Sequence, residues 1–481
     1  MSTAILWFRR DFRLADNPAL TAALKHHDHV IPVYLHAPHE EAPWQPGAAS
    51  LLWLHHSLAA LESSLDKVNN RLVLRKVAAN SSSLAALKNL IADSGAEAVY
   101  WNRLYEPAII SRDKDIKQAL KDSNVLASSH AAALLFEPWE IKTGSGGPYR
   151  VFTPFWKNLK ARDIHPPQSA PDNLPVGKSV AGESIESLQL RPTRDWKDSI
   201  EQRWQPGEQG AMQRLDEFLG EPLKTYDADR NIPAVDGTSG LSPHLHFGEI
   251  SPRQIWHAAR AFEARSQAQG GNAEADKFLS EVGWREFAHH LLYHYPETTR
   301  EPMNDKFKSF PWRSGYQQDL QRWQRGQTGI PIVDAGMREL WATGVMHNRV
   351  RMLVASLLTK NLLIHWHEGA QWFWDTLVDA DLASNSLGWQ WVAGSGADAA
   401  PYFRIFNPVL QGEKFDPQGD YVRHWVPEFK QLPKKFVHKP WEASKAELQQ
   451  AGILFGSDYP EPICDLKPTR QRALDAYQEI K

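Results

Sequence analysis

The sequence predicts a two-part fold: an α/β domain with a doubly wound, Rossmann-like parallel sheet, followed by an all-α domain. Three observations carry this reading. Short apolar runs alternate with amphipathic helical stretches from residue 4 to residue 101. A stretch rich in Pro, Ser and Gly, with weak periodicity, follows within 135–205. From 206 onward helical patterns dominate and β-branched alternation is scarce. The expected domains are therefore 1–134, a linker over 135–205, and a helical domain over 206–481.

The strands come first. "AILWF" (4–8), "VIPVYL" (30–35), "RLVLRK" (71–76) and "AEAVYW" (96–101) are short and β-prone. "NPALTAALKHH", "AASLLWLHHSLAALESSL" and "SLAALKNLIADSG" between them have helical spacing. Pro18 suits a first helical turn after Asp16 or Asn17 as cap, and Gly95 suits a helix end. No G-x-G-x-x-G follows the first strand, so the usual dinucleotide fingerprint is missing. In the second part, 278–296 and 344–366 each read as one helix.

Composition narrows the function. Of 481 residues, 42% are hydrophobic, enough for a sizeable core. No apolar run approaches the ~18 residues of a membrane span, and no secretory signal is evident, so a cytoplasmic protein is expected. Cys464 is the one cysteine, which excludes an internal disulfide and cysteine-rich metal sites. Net charge is −3, so any nucleic-acid contact must come from a local basic patch. Tryptophan is abundant at 20, and indoles mostly serve cores and interfaces.

Four stretches could carry chemistry. On the 278–296 helix, Glu281, Trp284 and Arg285 are i, i+3, i+4 neighbours, an acid and a base beside an indole. Their ordinary reading is a surface ion pair next to a buried Trp. On the 344–366 helix, Asn348, Arg351 and Met352 share a face and Arg349 points about 100° away. "DGTSGLSP" (236–243) offers hydroxyl and backbone donors to phosphate oxygens, or simply a turn and a cap. "DADLASNSLGWQW" (379–391) combines Asp379, Asp381 and Asn385 with Trp389 and Trp391. These two indoles lie on opposed sides of a helix or on one side of a strand. His290 and His294, and His244 and His246, lack the partners of a zinc site.

"LWFRRDFRLADNPAL" (6–20), "GTSGLSPHLHFGEISPRQ" (237–254), "EVGWREF" (281–287), "MHNRVRM" (346–352) and "DADLASNSLGWQW…DAAPYFRIFNP" (379–408) resemble the photolyase/cryptochrome family. The branch they are most similar to is the microbial class I cyclobutane pyrimidine dimer (CPD) photolyases. The resemblance implies FAD in the helical domain. Tyr226, Thr238, Ser239, Leu241 and Ser242 would line its phosphate side. Arg285, Asn348, Arg351, Asp379, Asp381 and Asn385 would surround its ribose, ring and adenine, with Asp379 near Arg351 and Asn385 facing the ring's N5. It also implies that Trp284 and Trp391 stack on a flipped-out dimer, and that Glu281 and Asn348 hydrogen-bond to it. Arg230, Arg349 and Arg404 would hold flanking phosphates of the damaged DNA. Trp389, Trp366 and Trp312 would form an electron-transfer chain.

The same resemblance sets the alternatives. A blue-light receptor of the cryptochrome type would carry an aspartate where Asn385 stands and usually a longer tail. A (6-4) photolyase would carry histidines at the places of Asn348 and Met352. CPD repair, as a monomer, is therefore expected. Folate-binding relatives place an Asn-Glu pair after Tyr-Glu, where this chain has Ala108 and Ile109. Deazaflavin, folate, a second flavin or none all stay open as the antenna chromophore.

Overall fold

In the computed structural model, residues 1–193, 197–270, 275–399 and 403–481 are described. The first part is a five-stranded sheet: β1 (Thr3–Phe8), β2 (His29–His36), β3 (Val73–Lys76), β4 (Ala98–Asn102) and β5 (Leu126–His130). Its order is β3-β2-β1-β4-β5 and every pairing is parallel. Ile5, on the central strand, aligns with Ile31 on one side and Val99 on the other. β5, "LASSH", was not expected. It is an edge strand, only partly buried, and lacks the apolar run that announces the others.

Helices α1 (Pro18–His26), α2 (Ala48–Lys67), α3 (Ser83–Ser94) and α4 (Pro107–Asp122) cover the two faces. The period-2 alternation of β1 divides its side chains between them. Ala4, Leu6 and Phe8 pack with α1 and α2, while Ile5 and Trp7 pack with α3 and α4. The helix ends follow the sequence signals. Asn17 caps α1 by accepting the Leu20 N–H, and Gly95 closes α3 at φ 72°.

Within 135–205 lies α5 (Phe152–Lys160), whose Phe152, Phe155 and Leu159 join the core of the helical part. That part contains α6 (Lys197–Arg203), α7 (Glu208–Leu219), α8 (Glu221–Asp229), α9 (Ser242–His246), α10 (Pro252–Ala268), α11 (Asp276–His294), α12 (Gln317–Gln324) and α13 (Pro331–Thr343). It continues with α14 (Asn348–Ser356), α15 (Trp366–Thr376), α16 (Leu382–Ala393), α17 (Pro408–Phe415), α18 (Asp420–Trp425), α19 (Lys445–Gln450) and α20 (Leu466–Glu479).

The single helix expected over 344–366 is corrected. Residues 345–347 precede α14, a π-helical turn spans Leu357–Asn361, and Leu363 takes φ 53° before α15 begins. Histidines start both helices: His347 Nδ1 accepts the Arg349 N–H, and His365 Nδ1 accepts the His367 N–H. Histidine is not among the preferred caps, so the sequence carried no stop-and-start signal there.

The two parts are joined by buried polar groups. Glu249, fully buried, accepts from Trp53 Nε1 (3.0 Å) and Ser57 on α2, and is held by His244 on its own segment. Arg13 reaches across to the Gly248 carbonyl (2.8 Å). Gly248, at φ 62°, lies so close to the Arg10 carbonyl that a Cβ would overlap it. Farther along, buried Glu286 on α11 accepts the Leu135 N–H (2.9 and 3.0 Å) and the Phe136 N–H (3.4 Å).

Burial pushes the Glu286 carboxyl up to about 7, against its ordinary 4.5. The folded state therefore holds this proton more tightly than the unfolded chain does. The resulting stabilisation is complete below pH 4.5 and is lost as pH rises through 7. Glu286→Gln should abolish a decline of about 3 kcal/mol over that window. Urea unfolding at pH 5 and pH 8 will show a smaller pH difference in the variant than in the parent.

Candidate active site

The loop between α8 and α9 is fixed from behind. Arg214 donates to the carbonyls of Ser239 (2.9 Å) and Thr238 (3.3 Å) and to Asp236 (3.0 Å). The Thr238 and Ser239 side chains stay partly exposed, Leu241 is buried beneath them, and Ser242 is exposed. Ser242 Oγ donates to Asp379 (2.6 Å). Arg351, on α14, donates to both oxygens of Asp379 (2.9 and 3.1 Å). The expected nearness of Asp379 and Arg351 thus appears as a two-pronged ion pair.

Two residues on, Asp381 caps α16 by accepting the Ser384 N–H (2.8 Å). His289 lies 3.4 Å and His246 3.8 Å from the same carboxylate. Burial alone would raise the Asp381 carboxyl, but His289, His246 and Arg285 outweigh it and hold it well below the usual carboxylate range. Arg285 is aimed elsewhere than at Glu281. It donates to the carbonyls of Ala133 (2.6 Å) and Leu245 (3.4 Å). Asn385, one turn into α16, donates to the Ala370 carbonyl on α15 (3.0 Å). Tyr226 is buried on α8 against Phe218 and Phe278.

This donor set fits FAD. Hydroxyls on a glycine-bearing loop suit a pyrophosphate, carboxylates suit ribose hydroxyls, and a guanidinium and an amide suit an electron-rich ring. His289 was not read from the sequence, and His246 was weighed there only with His244 as a metal pair. The one signal available was the position of His246 inside "SPHLHFGE".

Trp389 and Trp391 lie on α16, so the helical alternative holds and the two indoles diverge. Trp389 is buried and packs on α15 where that helix has Gly369, at ring contact with Phe373 (5.0 Å between centroids). Trp366 lies three residues before Gly369 on the same face and is fully buried. Trp312 packs against Phe310 (4.5 Å) and His365 (5.0 Å).

A second set of residues gathers around α11 and α14. Glu281 pairs with Arg230 at the end of α8 (2.6 Å), and that guanidinium sits over the Tyr226 ring (5.3 Å). Arg349 donates to Asn231 (2.5 Å) and stacks over Phe415 (4.3 Å). Burial, then the positive charges of Arg230 and Arg404, push Arg349 down from its ordinary value. Trp284 stacks flat on Phe152 (3.8 Å, 9°). The Asp398 carbonyl accepts Trp391 Nε1 (3.0 Å). Asn348 opens α14, exposed, next to Arg349.

A cleft of about 400 Å³ opens between the two parts. Trp44 and Trp374 wall it, Arg10, Glu41, Glu106 and Arg300 border it, and Ala108 and Ile109 stand in its lining. Arg10 and Glu106 form an ion pair within it. His290 and His294 both turn to the Pro138 carbonyl, and no group of three or more metal-ligating side chains occurs among the described residues.

Comparison with known proteins identifies the family. A family model described as DNA photolyase matches residues 4–172, and one described as the FAD binding domain of DNA photolyase matches residues 278–479. The deoxyribodipyrimidine photo-lyase of Agrobacterium fabrum is 49% identical over 480 residues, 99% of this chain and 98% of that protein. The crystal structure of a bacterial class III photolyase from Agrobacterium tumefaciens superposes with a TM-score of 0.94 at 49% identity, covering 100% of this chain and 98% of that one. A Synechocystis cryptochrome superposes with a TM-score of 0.89 at 31% identity, covering 99% of both chains. The chain belongs to the photolyase/cryptochrome family. It is a flavoprotein enzyme on the DNA photolyase framework, with FAD as its cofactor. No helix among the described residues is long and apolar enough to cross a membrane.

Gly369 ties the two helices that carry this site. A Cβ there would overlap the far edge of the Trp389 ring. Gly369→Ala should cost about 1–3 kcal/mol through overpacking. The expected result is a lower thermal midpoint together with a lower flavin-to-protein absorbance ratio.

Proposed function

We propose that this protein uses light to split cyclobutane pyrimidine dimers in DNA. The observation that carries the reading is that Arg230, which pairs with the Glu281 carboxylate, and Arg404 lie near enough to Arg349 for their charges to act on it. On a chain of net charge −3, a triple-arginine surface is a local phosphate footprint. Trp284 and Trp391 would stack on a dimer flipped from the duplex, and a damaged step is the cheapest to unstack. In this reading 1–134 is the antenna domain, 135–205 the connector and 206–481 the catalytic domain.

FAD supplies the light-excited electron when bound. The remaining work falls to the side chains. Thr238, Ser239 and Ser242 would hold the pyrophosphate, with Tyr226 and Leu241 behind them. Asp379 and Arg285 would lie along the cofactor, with Asp381 toward its ribityl chain and ring edge. Arg351 and Asn385 would offer a cation and an amide to the ring. Glu281 and Asn348 hydrogen-bond the dimer and stabilise the charge it gains. Trp389, Trp366 and Trp312 deliver an electron from the surface. The interdomain cleft, with its two indole walls and mixed charges, is where a second chromophore would sit. Asn385 and the absence of histidine at positions 348 and 352 favour dimer repair over a receptor and over (6-4) repair.

A dimer-containing oligonucleotide tests this. Recovery of thymine absorbance in blue light and not in darkness is expected. Flavin photoreduction without recovery would move the protein to the receptor class. Glu281→Ala should lower the repair yield about tenfold, the effect of one hydrogen bond to a charged group, with FAD content unchanged. Binding should weaken linearly in log–log salt plots, and Arg349→Ala should reduce that slope by roughly 0.9, one phosphate contact. An unchanged slope removes Arg349 from the interface.

A further inference from the structure

The route between Trp366 and Trp312 contains a side chain that the sequence motifs do not point to. His365 stacks on Trp366 (5.6 Å between centroids, 29°) and meets Trp312 edge-on (5.0 Å, 68°). One imidazole touches both indoles. We propose that the His365 ring is a link in the electron-transfer path, carrying electrons from Trp312 to Trp366. This rests on the assignment of Trp389, Trp366 and Trp312 as that path.

The ring is held for the purpose. His365 Nδ1 accepts the His367 N–H (3.2 Å), which fixes the imidazole at the head of α15. With Nδ1 as acceptor, the neutral tautomer carries its proton on Nε2. The Arg313 N–H donates to the Leu363 carbonyl (2.8 Å) and ties the Trp312 segment to the turn before His365. Capping alone does not account for the arrangement. Asn or Asp would cap at least as well and would touch neither indole.

The charge of the ring matters as much as its place. Trp366 and Trp312 must each in turn carry a positive hole. An imidazolium about 5 Å away would repel that hole in a medium of low dielectric. Around His365 stand His367 and Glu368 on α15, and Arg313 beside Trp312, itself paired with Asp319. Tyr316 donates to Glu368 (2.7 Å). Burial, then His367, pushes His365 down to about 4, so the ring is neutral at physiological pH.

The step balances. An oxidised Trp366 takes one electron from Trp312 through the His365 contact. Trp312 is left as a radical cation and releases its indole proton to water. A soluble thiol then returns an electron and a proton to Trp312, and two thiyl radicals pair as a disulfide. His365 itself ends unchanged.

Transient absorption of the FAD-loaded protein, following the long-lived tryptophan radical after a laser flash, tests the link. His365→Asn keeps a cap and removes the ring. His365→Phe keeps a ring and removes the cap. Trp312→Phe removes the end of the chain. The expected result is a radical yield at least tenfold lower in His365→Asn, with most of the yield restored in His365→Phe. In the parent the yield should also fall between pH 6 and pH 4, and in His365→Phe it should not. ¹³C NMR of labelled histidine should place the His365 titration in the same range. A parental yield in His365→Asn, with loss in Trp312→Phe, would overturn the link and leave His365 as a cap. A parental yield in Trp312→Phe would overturn the path itself. If His365→Asn does not fold, a pH-independent yield in the parent overturns the link.

Discussion

The buried carboxylate of Glu249 is the constraint on which the site depends. A fully buried acid is expensive unless its oxygens are satisfied. Here the partners come from two places: Trp53 and Ser57 on α2 of the α/β part, and His244 on α9. The carboxylate is content only when the sheet domain is docked. Because α9 begins at Ser242, docking also sets the loop that carries Thr238, Ser239 and Ser242. Arg13 on the Gly248 carbonyl and the tight Gly248–Arg10 approach hold the same seam.

Electrostatics separate the two faces of the site. On the cofactor side the charges are balanced at short range, Arg351 against Asp379 and Asp381 between two histidines. These groups are desolvated, and pairing offsets that cost. On the outer side Arg349 is answered by an amide, Asn231, and by a phenyl ring, and it feels Arg230 and Arg404 as like charges. Cations that repel one another on one surface are poised for an anion from outside. Arg230 alone has an internal carboxylate, Glu281, so a phosphate competing for that arginine also alters the surroundings of the acid.

Aromatic order requires rigid backbones beneath it. Gly369 lets α16 approach α15 closely enough for Trp389 to rest on it, and the Asn385–Ala370 hydrogen bond pins the same crossing one turn earlier. The π turn at 357–361 and the left-handed Leu363 re-aim the chain so that α15 starts with His365 and Trp366 side by side. Extra residues in a helical turn often mark functional positions, and this one sits where the ring contacts lead toward the surface.

Much of this was written locally. Short apolar runs placed four strands, and Pro18, Asn17 and Gly95 marked helix ends through interactions spanning a few residues. The motif strings carried the identity of Asp379, Arg351 and Ser242, whose mutual contacts the fold then formed. Other features had no local signal. β5 is an edge strand defined by its neighbour β4. The break before α15 comes from histidine caps and a π turn. Glu281 pairs with Arg230 rather than Arg285, because Arg285 is drawn to carbonyls of two distant segments. The sequence by itself determined four of the five strands, the family and the chemical inventory, because those depend on local apolar runs and residue type. Only the tertiary structure decided which acid meets which base, that Phe152 underlies Trp284 and that His365 joins two indoles. Such pairings are set by the packing of elements far apart in the chain.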